Sequence, residues 1–95
     1  MKKYTLLDYR EFEEYLEIEE PFFDGYHYMF VFDNEYQASI IKHCASYGHQ
    51  MDLFEIMIIT PEGHFKDPVG HLTNDEVLEK LREVKMIKKW GKCYD

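Results

Sequence analysis

The chain has 95 residues, of which 45% are hydrophobic and 17% aromatic, and its 19 acidic and 11 basic side chains give a net charge of −8. This length fits one small domain, residues 1–95, and so many aromatic residues exclude an ordinary disordered chain. The acidic balance weighs against direct DNA binding and against binding to anionic membranes, because both require Lys and Arg to neutralise phosphates.

The negative charge is concentrated near the beginning of the chain. Residues 1–35 contain ten acidic and three basic residues, a net −7, whereas residues 73–95 contain five acidic and six basic residues, a net +1. No segment resembles a signal peptide, and the longest apolar run, Ile56–Ile59, is far too short to span a bilayer. We therefore expect a cytoplasmic protein in which Cys44 and Cys93 are reduced thiols.

The first predicted element is an acidic helix over about residues 9–20. Asp8 and Glu11 have the spacing of a capping box, and apolar residues recur from Phe12 onward at three- and four-residue steps. The helix is expected to end before Pro21, because a proline disfavours helical backbone in the residue before it.

An aromatic and β-branched segment, residues 26–32, is predicted to form the first strand. Alternate residues of a strand project from one side, and here that side is entirely aromatic: Tyr26, Tyr28, Phe30 and Phe32. We interpret this row as core. The opposite side, with His27, Met29 and Val31, is then expected to lie under the N-terminal helix.

Three further elements are predicted between residues 33 and 66. Asp33 and Asn34 can cap a helix that ends at Gly48, with the apolar stripe Ala38, Ile41, Cys44 and Ala45. Residues 51–60 predict a strand that is apolar on both faces, which is typical of a central strand covered on both sides. A turn then leads to a short strand near residues 64–66.

The last predicted helix begins at a second capping box, Thr73 to Glu76, and runs to about residue 85 on the apolar stripe Val77, Leu78, Leu81 and Val84. Met86, Ile87 and Trp90 are expected to begin an edge strand. The whole order predicts a small α+β domain, with an antiparallel or mixed sheet of three to four strands and two to three helices. Its core unit, about residues 26–90, follows the βαββαβ order of a ferredoxin-like fold, with an extra N-terminal helix.

No pattern indicates catalysis, a cofactor or a metal site. The histidines lack the close ligand pairs that zinc uses, and the five glycines form no phosphate-binding loop. Cys44 is interpreted as a small buried hydrophobe on its helix, so thiol reagents should reach Cys93 first. We therefore expect no enzyme, with no catalytic and no metal-ligating residues.

The leading functional prediction is a non-enzymatic protein-binding module. Rows of carboxylates can imitate the phosphates of a nucleic acid and can steer a basic partner into place. The expected contacts with a basic protein surface are Glu11, Glu13, Glu14, Glu17, Glu20 and Asp24. Such a module is typical of phage or mobile-element inhibitors, anti-CRISPR-like proteins among them, which occupy basic sites on nucleic-acid-processing or defence proteins.

The alternative prediction is a nucleic-acid or small-ligand binding module. It would use sheet aromatics together with the basic C-terminal tail, through Tyr26, Tyr28, Lys88, Lys89 and Trp90. Stacking platforms are usually framed by basic residues, and residues 20–41 contain none. A related possibility is that part of the aromatic row is exposed and forms a homodimer interface. A metal-dependent enzyme is the third reading.

Overall fold

A computed structural model of the protein describes residues 4–88. Within them lie one α-helix, two short 3₁₀ helices and five strands: β1 (Leu16–Phe22), β2 (Gly25–Val31), β3 (Gln37–Lys42), β4 (Phe54–Ile59), β5 (Val69–Leu72), α1 (Asn74–Lys85), and 3₁₀ turns at Arg10–Tyr15 and His49–Met51. The strands form one sheet in chain order, and each pairs antiparallel with the next. The fold is a small α+β fold, but the predicted ferredoxin-like order, with its three to four strands and two to three helices, is wrong.

The segment predicted as a helix over residues 34–48 instead contains β3. Its buried side chains alternate along the strand as Ala38, Ile40 and Lys42. Asn34 does not cap a helix, because it lies in a tight turn in which the Glu35 N–H donates to the Phe32 carbonyl at 2.9 Å. Pairing of β3 with strands on both sides outweighs the helical spacing of its apolar residues.

The predicted acidic helix over residues 9–20 is also wrong. Only Arg10–Tyr15 is helical, as a 3₁₀ helix without a side-chain cap, and the chain then enters β1 directly. A 3₁₀ helix has three residues per turn, so Phe12 and Tyr15 both face the sheet while the glutamates face outward. Pro21 is compatible with β1 because β1 is an edge strand, where an N–H donor is not required on the outer side.

The helix predicted for residues 73–85 is confirmed. The Thr73 hydroxyl accepts a hydrogen bond from the Glu76 N–H at 3.2 Å, and the Glu76 carboxylate accepts one from the Thr73 N–H at 2.9 Å. These reciprocal bonds satisfy amides that the first helical turn leaves unpaired. The predicted apolar stripe is buried, as Val77, Leu78, Leu81 and Val84.

The strands around this helix are only partly as predicted. β4 lies within the predicted 51–60 segment, but residues 64–66 contribute only an isolated bridge from Phe65 to Ile59. The fifth strand begins three residues later, at Val69. Residues 86–88 form no strand, and Trp90 lies outside the described residues.

One face of the sheet, called here the covered face, forms the core. Its buried side chains are Tyr28, Phe30, Phe32, Ala38, Ile40, Phe54 and Ile56. α1 packs over β4 and β5, and the N-terminal segment packs through Leu7 and Phe12. The Leu7 N–H donates to the Tyr28 hydroxyl at 3.1 Å. The N-terminal segment therefore covers the aromatic row and not, as expected from the sequence, the side of His27.

The opposite face, called here the open face, carries the other residues of the same strands. The strand register places on it Ile18, Glu20, Phe22, His27, Met29, Val31, Gln37, Ser39, Ile41, Glu55, Met57 and Ile59. Most of these side chains are partly exposed, whereas Ile59 is buried and the Phe22 ring contacts the rings of Phe23 and His43. Among residues 4–88 there is also no helix of the length and apolar character that a membrane span requires.

Candidate binding surfaces

The exposed glutamates of the N-terminal region follow one stretch of chain, called here the acidic strip, in which the register of β1 turns Glu19 and Glu20 to opposite faces of the sheet. Its members are Glu11, Glu13 and Glu14 on the 3₁₀ helix and Glu17, Glu19 and Glu20 on β1. Glu19 was not among the predicted contacts, although it lies between two residues that were. Glu13 and Glu19 line the same open hollow of about 520 Å³, which shows that the two elements contribute to a common surface.

Three members of the acidic strip have internal partners. Glu11 accepts a hydrogen bond from Arg82 Nε at 3.1 Å, and Glu19 accepts one from the Tyr9 hydroxyl at 3.0 Å. Glu20 lies 2.8 Å from His27 Nδ1 on the neighbouring strand. A hydrogen bond from its own backbone, followed by the Arg82 guanidinium, holds the pKa of Glu11 below its ordinary value.

The other three members, Glu13, Glu14 and Glu17, have no ion-pair partner among the described residues, and all three are exposed. Their charges are therefore not compensated by the fold. These are the carboxylates most available to a cation on another molecule. All three were among the contacts predicted from the sequence, but only the structure separates them from their paired neighbours.

Asp24 lies apart from the acidic strip, at the turn between β1 and β2. Its carboxylate accepts hydrogen bonds from the Cys44 N–H at 2.8 Å and from the Tyr4 hydroxyl at 3.3 Å. Partial desolvation raises the pKa of Asp24, but these hydrogen bonds outweigh it, so the pKa lies below its ordinary value. Asp24 thus joins the N-terminal segment to the end of β3, and a structural role accounts for it.

A buried cation, which the sequence did not reveal, lies near this end of the covered face. Lys42 Nζ donates to Asp52 Oδ1 at 2.9 Å and to the Thr5 carbonyl at 3.0 Å, and it lies 3.7 Å from the centre of the Phe54 ring. Burial lowers the pKa of Lys42. A Cβ on Gly25 would lie 1.7 Å from the Lys42 carbonyl oxygen, so only glycine permits β2 to approach β3 here.

Cys44 is not on a helix and is not buried, contrary to the interpretation of the sequence. It is exposed in the turn that follows β3. The expectation that its thiol reacts slowly therefore loses its basis, and Cys93 lies outside the described residues. Within residues 4–88, no three His, Cys, Asp or Glu side chains converge as a set able to hold a metal ion.

The alternative ligand surface is divided by the fold. Tyr28 is fully buried, so its ring offers no face for stacking, and Tyr26 is partly buried at the beginning of β2. Lys88 follows α1 near the other end of the sheet, where Asn34 holds the Ile87 carbonyl at 2.7 Å. A strand of this length spans about 20 Å, so Tyr26 and Lys88 do not share a site. The other two predicted members, Lys89 and Trp90, lie outside the described residues.

Comparisons with known proteins identify no relative of this chain. No protein-family model matches it. Neither the curated proteins nor the solved structures yield a significant match.

Proposed function

We propose that the chain is a small, non-catalytic protein-binding module whose acidic strip occupies a basic site on another protein. The partner is a nucleic-acid-processing or defence protein, and the module inhibits it as a nucleic-acid mimic of phage or mobile-element origin. The observation that carries the proposal is the set of three exposed, uncompensated carboxylates, Glu13, Glu14 and Glu17, on a chain of net charge −8.

The spacing of the acidic strip supports mimicry of a nucleic acid. A 3₁₀ helix rises about 2 Å per residue and a strand about 3.3 Å, so the backbone from Glu11 to Glu20 extends over roughly 24 Å. Six carboxylates over that length give about one per 4–5 Å of chain, with Glu11 paired to Arg82 and Glu20 projecting from the opposite side of β1 to Glu19. A single strand of DNA carries one phosphate per about 3.4 Å of helix axis, which is a comparable density.

Protection of the sheet edge is the competing explanation for these glutamates. Charged residues and proline on an edge strand prevent pairing with another chain, and β1 carries Glu17, Glu19, Glu20 and Pro21. This explanation does not extend to Glu13 and Glu14, which lie on the 3₁₀ helix and protect no strand edge. Binding to a basic partner accounts for both groups.

The acidic strip is also held in place before any partner arrives. Phe12, between Glu11 and Glu13, is fully buried and contacts the Phe32 ring at 6.3 Å between centroids. This anchor fixes the 3₁₀ helix against the sheet. A surface that is already ordered loses less conformational entropy on binding than a flexible acidic tail would.

The test compares three tagged proteins as baits in an extract of the native host. One is the wild type, one carries Glu13→Gln, Glu14→Gln and Glu17→Gln, and the control carries Asp67→Asn, Glu79→Gln and Glu83→Gln. The control residues are exposed, lie outside the acidic strip, and change the net charge by the same amount. We expect the wild type and the control to capture one protein that the strip variant captures poorly.

The captured protein is then purified, and its binding to duplex DNA or RNA is measured with increasing amounts of each variant. We expect the wild type to compete with the nucleic acid, with an affinity that falls steeply as salt is added, and the strip variant to show weaker and flatter competition. Equal affinity of the wild type and the strip variant at low salt would contradict the proposal.

A further inference from the structure

The segment of chain before the first 3₁₀ helix, residues 4–8, is called here the strap. It lies over the covered face without belonging to a strand or a helix. Side chains hold its backbone: the Thr5 N–H donates to Asp52 Oδ1 at 2.9 Å, and the Leu7 N–H donates to the Tyr28 hydroxyl at 3.1 Å. A segment held in this way can detach without breaking the hydrogen bonds between strands.

Two sets of polar contacts fix the strap, one toward each end. At Thr5, the Asp52 carboxylate accepts hydrogen bonds from the N–H and the hydroxyl, and Lys42 Nζ donates to the carbonyl at 3.0 Å. At Asp8, the Asn74 side chain accepts a hydrogen bond from the N–H at 2.8 Å and donates one to the carbonyl at 3.0 Å. These contacts join the strap to the loop before β4 and to the beginning of α1.

We infer that the strap opens and closes as one unit while the sheet and α1 remain folded, and that its closed state maintains the hollow beside the acidic strip. Of its side chains, Leu7 belongs to the main hydrophobic core, whereas Tyr4 is buried outside that core. The other residues of the core lie on the sheet, on α1 or on the 3₁₀ helix, and they pack against one another without the strap. The open state therefore costs less free energy than complete unfolding.

The moving unit ends where the 3₁₀ helix begins. Phe12 is fully buried against the sheet, and the Tyr9 ring lies 6.1 Å from the Phe30 ring between centroids. Arg10 has a φ of 48°, in the left-handed region that residues other than glycine rarely adopt. The chain therefore changes direction at Arg10, between a strap held by polar contacts and a helix held by buried aromatic rings.

The strap forms one wall of the hollow that Glu13 and Glu19 line. Leu6, Leu7 and Asp8 line the same hollow from the strap, and Leu6 is 51% exposed there. Opening removes these three side chains, so the hollow keeps its shape only while the strap is closed. The position of the strap therefore sets the shape of the surface beside the acidic strip. This holds for the free protein and does not depend on the proposed partner.

Native-state amide hydrogen exchange of the wild-type protein at pH 7 tests the inference. After correction for intrinsic exchange rates, the Leu7 amide should exchange at least tenfold faster than the Ile40 amide in the middle of β3. Low concentrations of urea should leave the Leu7 rate almost unchanged and raise the Ile40 rate. The reason is that opening of the strap exposes little surface, whereas complete unfolding exposes much.

Two variants weaken the two ends of the strap separately, Asp52→Asn at one end and Asn74→Ala at the other. Because the strap moves as a unit, each variant should accelerate exchange of both the Leu7 and the Asp8 amides at least fivefold. Asp67→Asn is the control, since it makes the same chemical change as Asp52→Asn at an exposed residue of the loop before β5. It should leave both rates unchanged.

Two results would overturn the inference. One is exchange of Leu7 at the rate and with the urea dependence of Ile40, which would show that the strap opens only when the whole chain unfolds. The other is acceleration confined to the end that each variant alters, which would show independent fraying. If Asp52→Asn does not fold, the wild-type urea dependence and Asn74→Ala decide the question. Neither result depends on capture of a partner, so failure of this inference is distinct from failure of the proposed function.

Discussion

The covered and open faces are built from neighbouring residues of the same strands, yet they differ in what packs against them. On β2, Tyr28 and Phe30 are fully buried, while His27, Met29 and Val31 between and beside them are partly exposed. The covered face meets α1 and the N-terminal segment. On the open face most side chains remain partly exposed, with local contacts at Ile59, which is buried, and at Phe22, whose ring contacts Phe23 and His43.

This difference in packing means that the two faces contribute differently to the stability of the fold. Burial of apolar area drives folding, and among residues 4–88 the largest fully buried side chains lie on the covered face or on the segments that pack over it. The open face and the acidic strip carry apolar and charged groups that remain partly or fully exposed. Mutation should therefore cost much free energy of unfolding on the covered face and little on the open face or the acidic strip.

The largest expected effect concerns the anchor of the acidic strip on the covered face. Phe12→Ala removes a fully buried ring and should lower the free energy of unfolding by about 3–5 kcal/mol. A domain of this size has only about 5–15 kcal/mol of total stability, so the variant should be near the limit of folding. Urea denaturation measures the change.

Phe65→Ala is the matched control, because this phenylalanine is 67% exposed in the loop before β5. It should cost about 1 kcal/mol or less. Similar losses for the two variants would show that the 3₁₀ helix is not anchored through Phe12.

A smaller change in the free energy of unfolding is expected when the contact between Asp52 and the buried Lys42 is altered. Desolvation raises the pKa of Asp52, but hydrogen bonds from the Thr5 hydroxyl and N–H and from Lys42 outweigh it, so the pKa lies below its ordinary value. At pH values near and below the ordinary pKa of an aspartate, about 4, the unfolded chain therefore binds more protons than the folded chain. The free energy of unfolding therefore falls as the pH falls.

Asp52→Asn should reduce the free energy of unfolding at pH 7 by about 1–3 kcal/mol, since Lys42 loses a charged partner. It should also flatten the loss of stability between about pH 5 and pH 2. Some slope should remain, because the pKa of Asp24 is lowered as well. Chemical denaturation at several pH values measures both effects, and an unchanged acid slope would show that Asp52 does not titrate as described.

The smallest effect on stability is expected for the acidic strip itself. Replacing Glu13, Glu14 and Glu17 by Gln should change the free energy of unfolding by no more than about 0.5 kcal/mol, because the three carboxylates are exposed and unpaired within the described residues. At low salt the variant should be the more stable protein, since like charges are removed. A loss above about 1 kcal/mol would indicate that the carboxylates serve the fold.

Prediction from the sequence was correct for elements that depend on neighbouring residues. It was wrong where pairing with a distant strand determines the secondary structure. The capping box at Thr73 and the stripe of α1 lie within a few residues of one another, and both were found as expected. The segment from Gln37 to Lys42 has apolar residues at both helical and strand spacing. Only its pairing with β2 and β4 selects the strand, and that pairing is not encoded locally.

The candidate site likewise has features that the sequence predicts and features that depend on distant contacts. Exposure of the glutamates follows from their charge, so the sequence alone predicts that Glu13, Glu14 and Glu17 are exposed, as they are. Their distinction from Glu11 depends on Arg82, which is 71 residues away along the chain. No sequence pattern indicates that contact.

The most direct measurement of the difference between the faces compares two adjacent residues of β2. Phe30→Ala, on the covered face, should lower the free energy of unfolding by about 3–5 kcal/mol, whereas Met29→Ala, on the open face, should cost about 1 kcal/mol or less at low protein concentration. Urea denaturation of both variants beside the wild type provides the two values. Equal losses, or a Phe30→Ala variant that melts within a degree or two of wild type, would contradict the assignment of the core to the aromatic face.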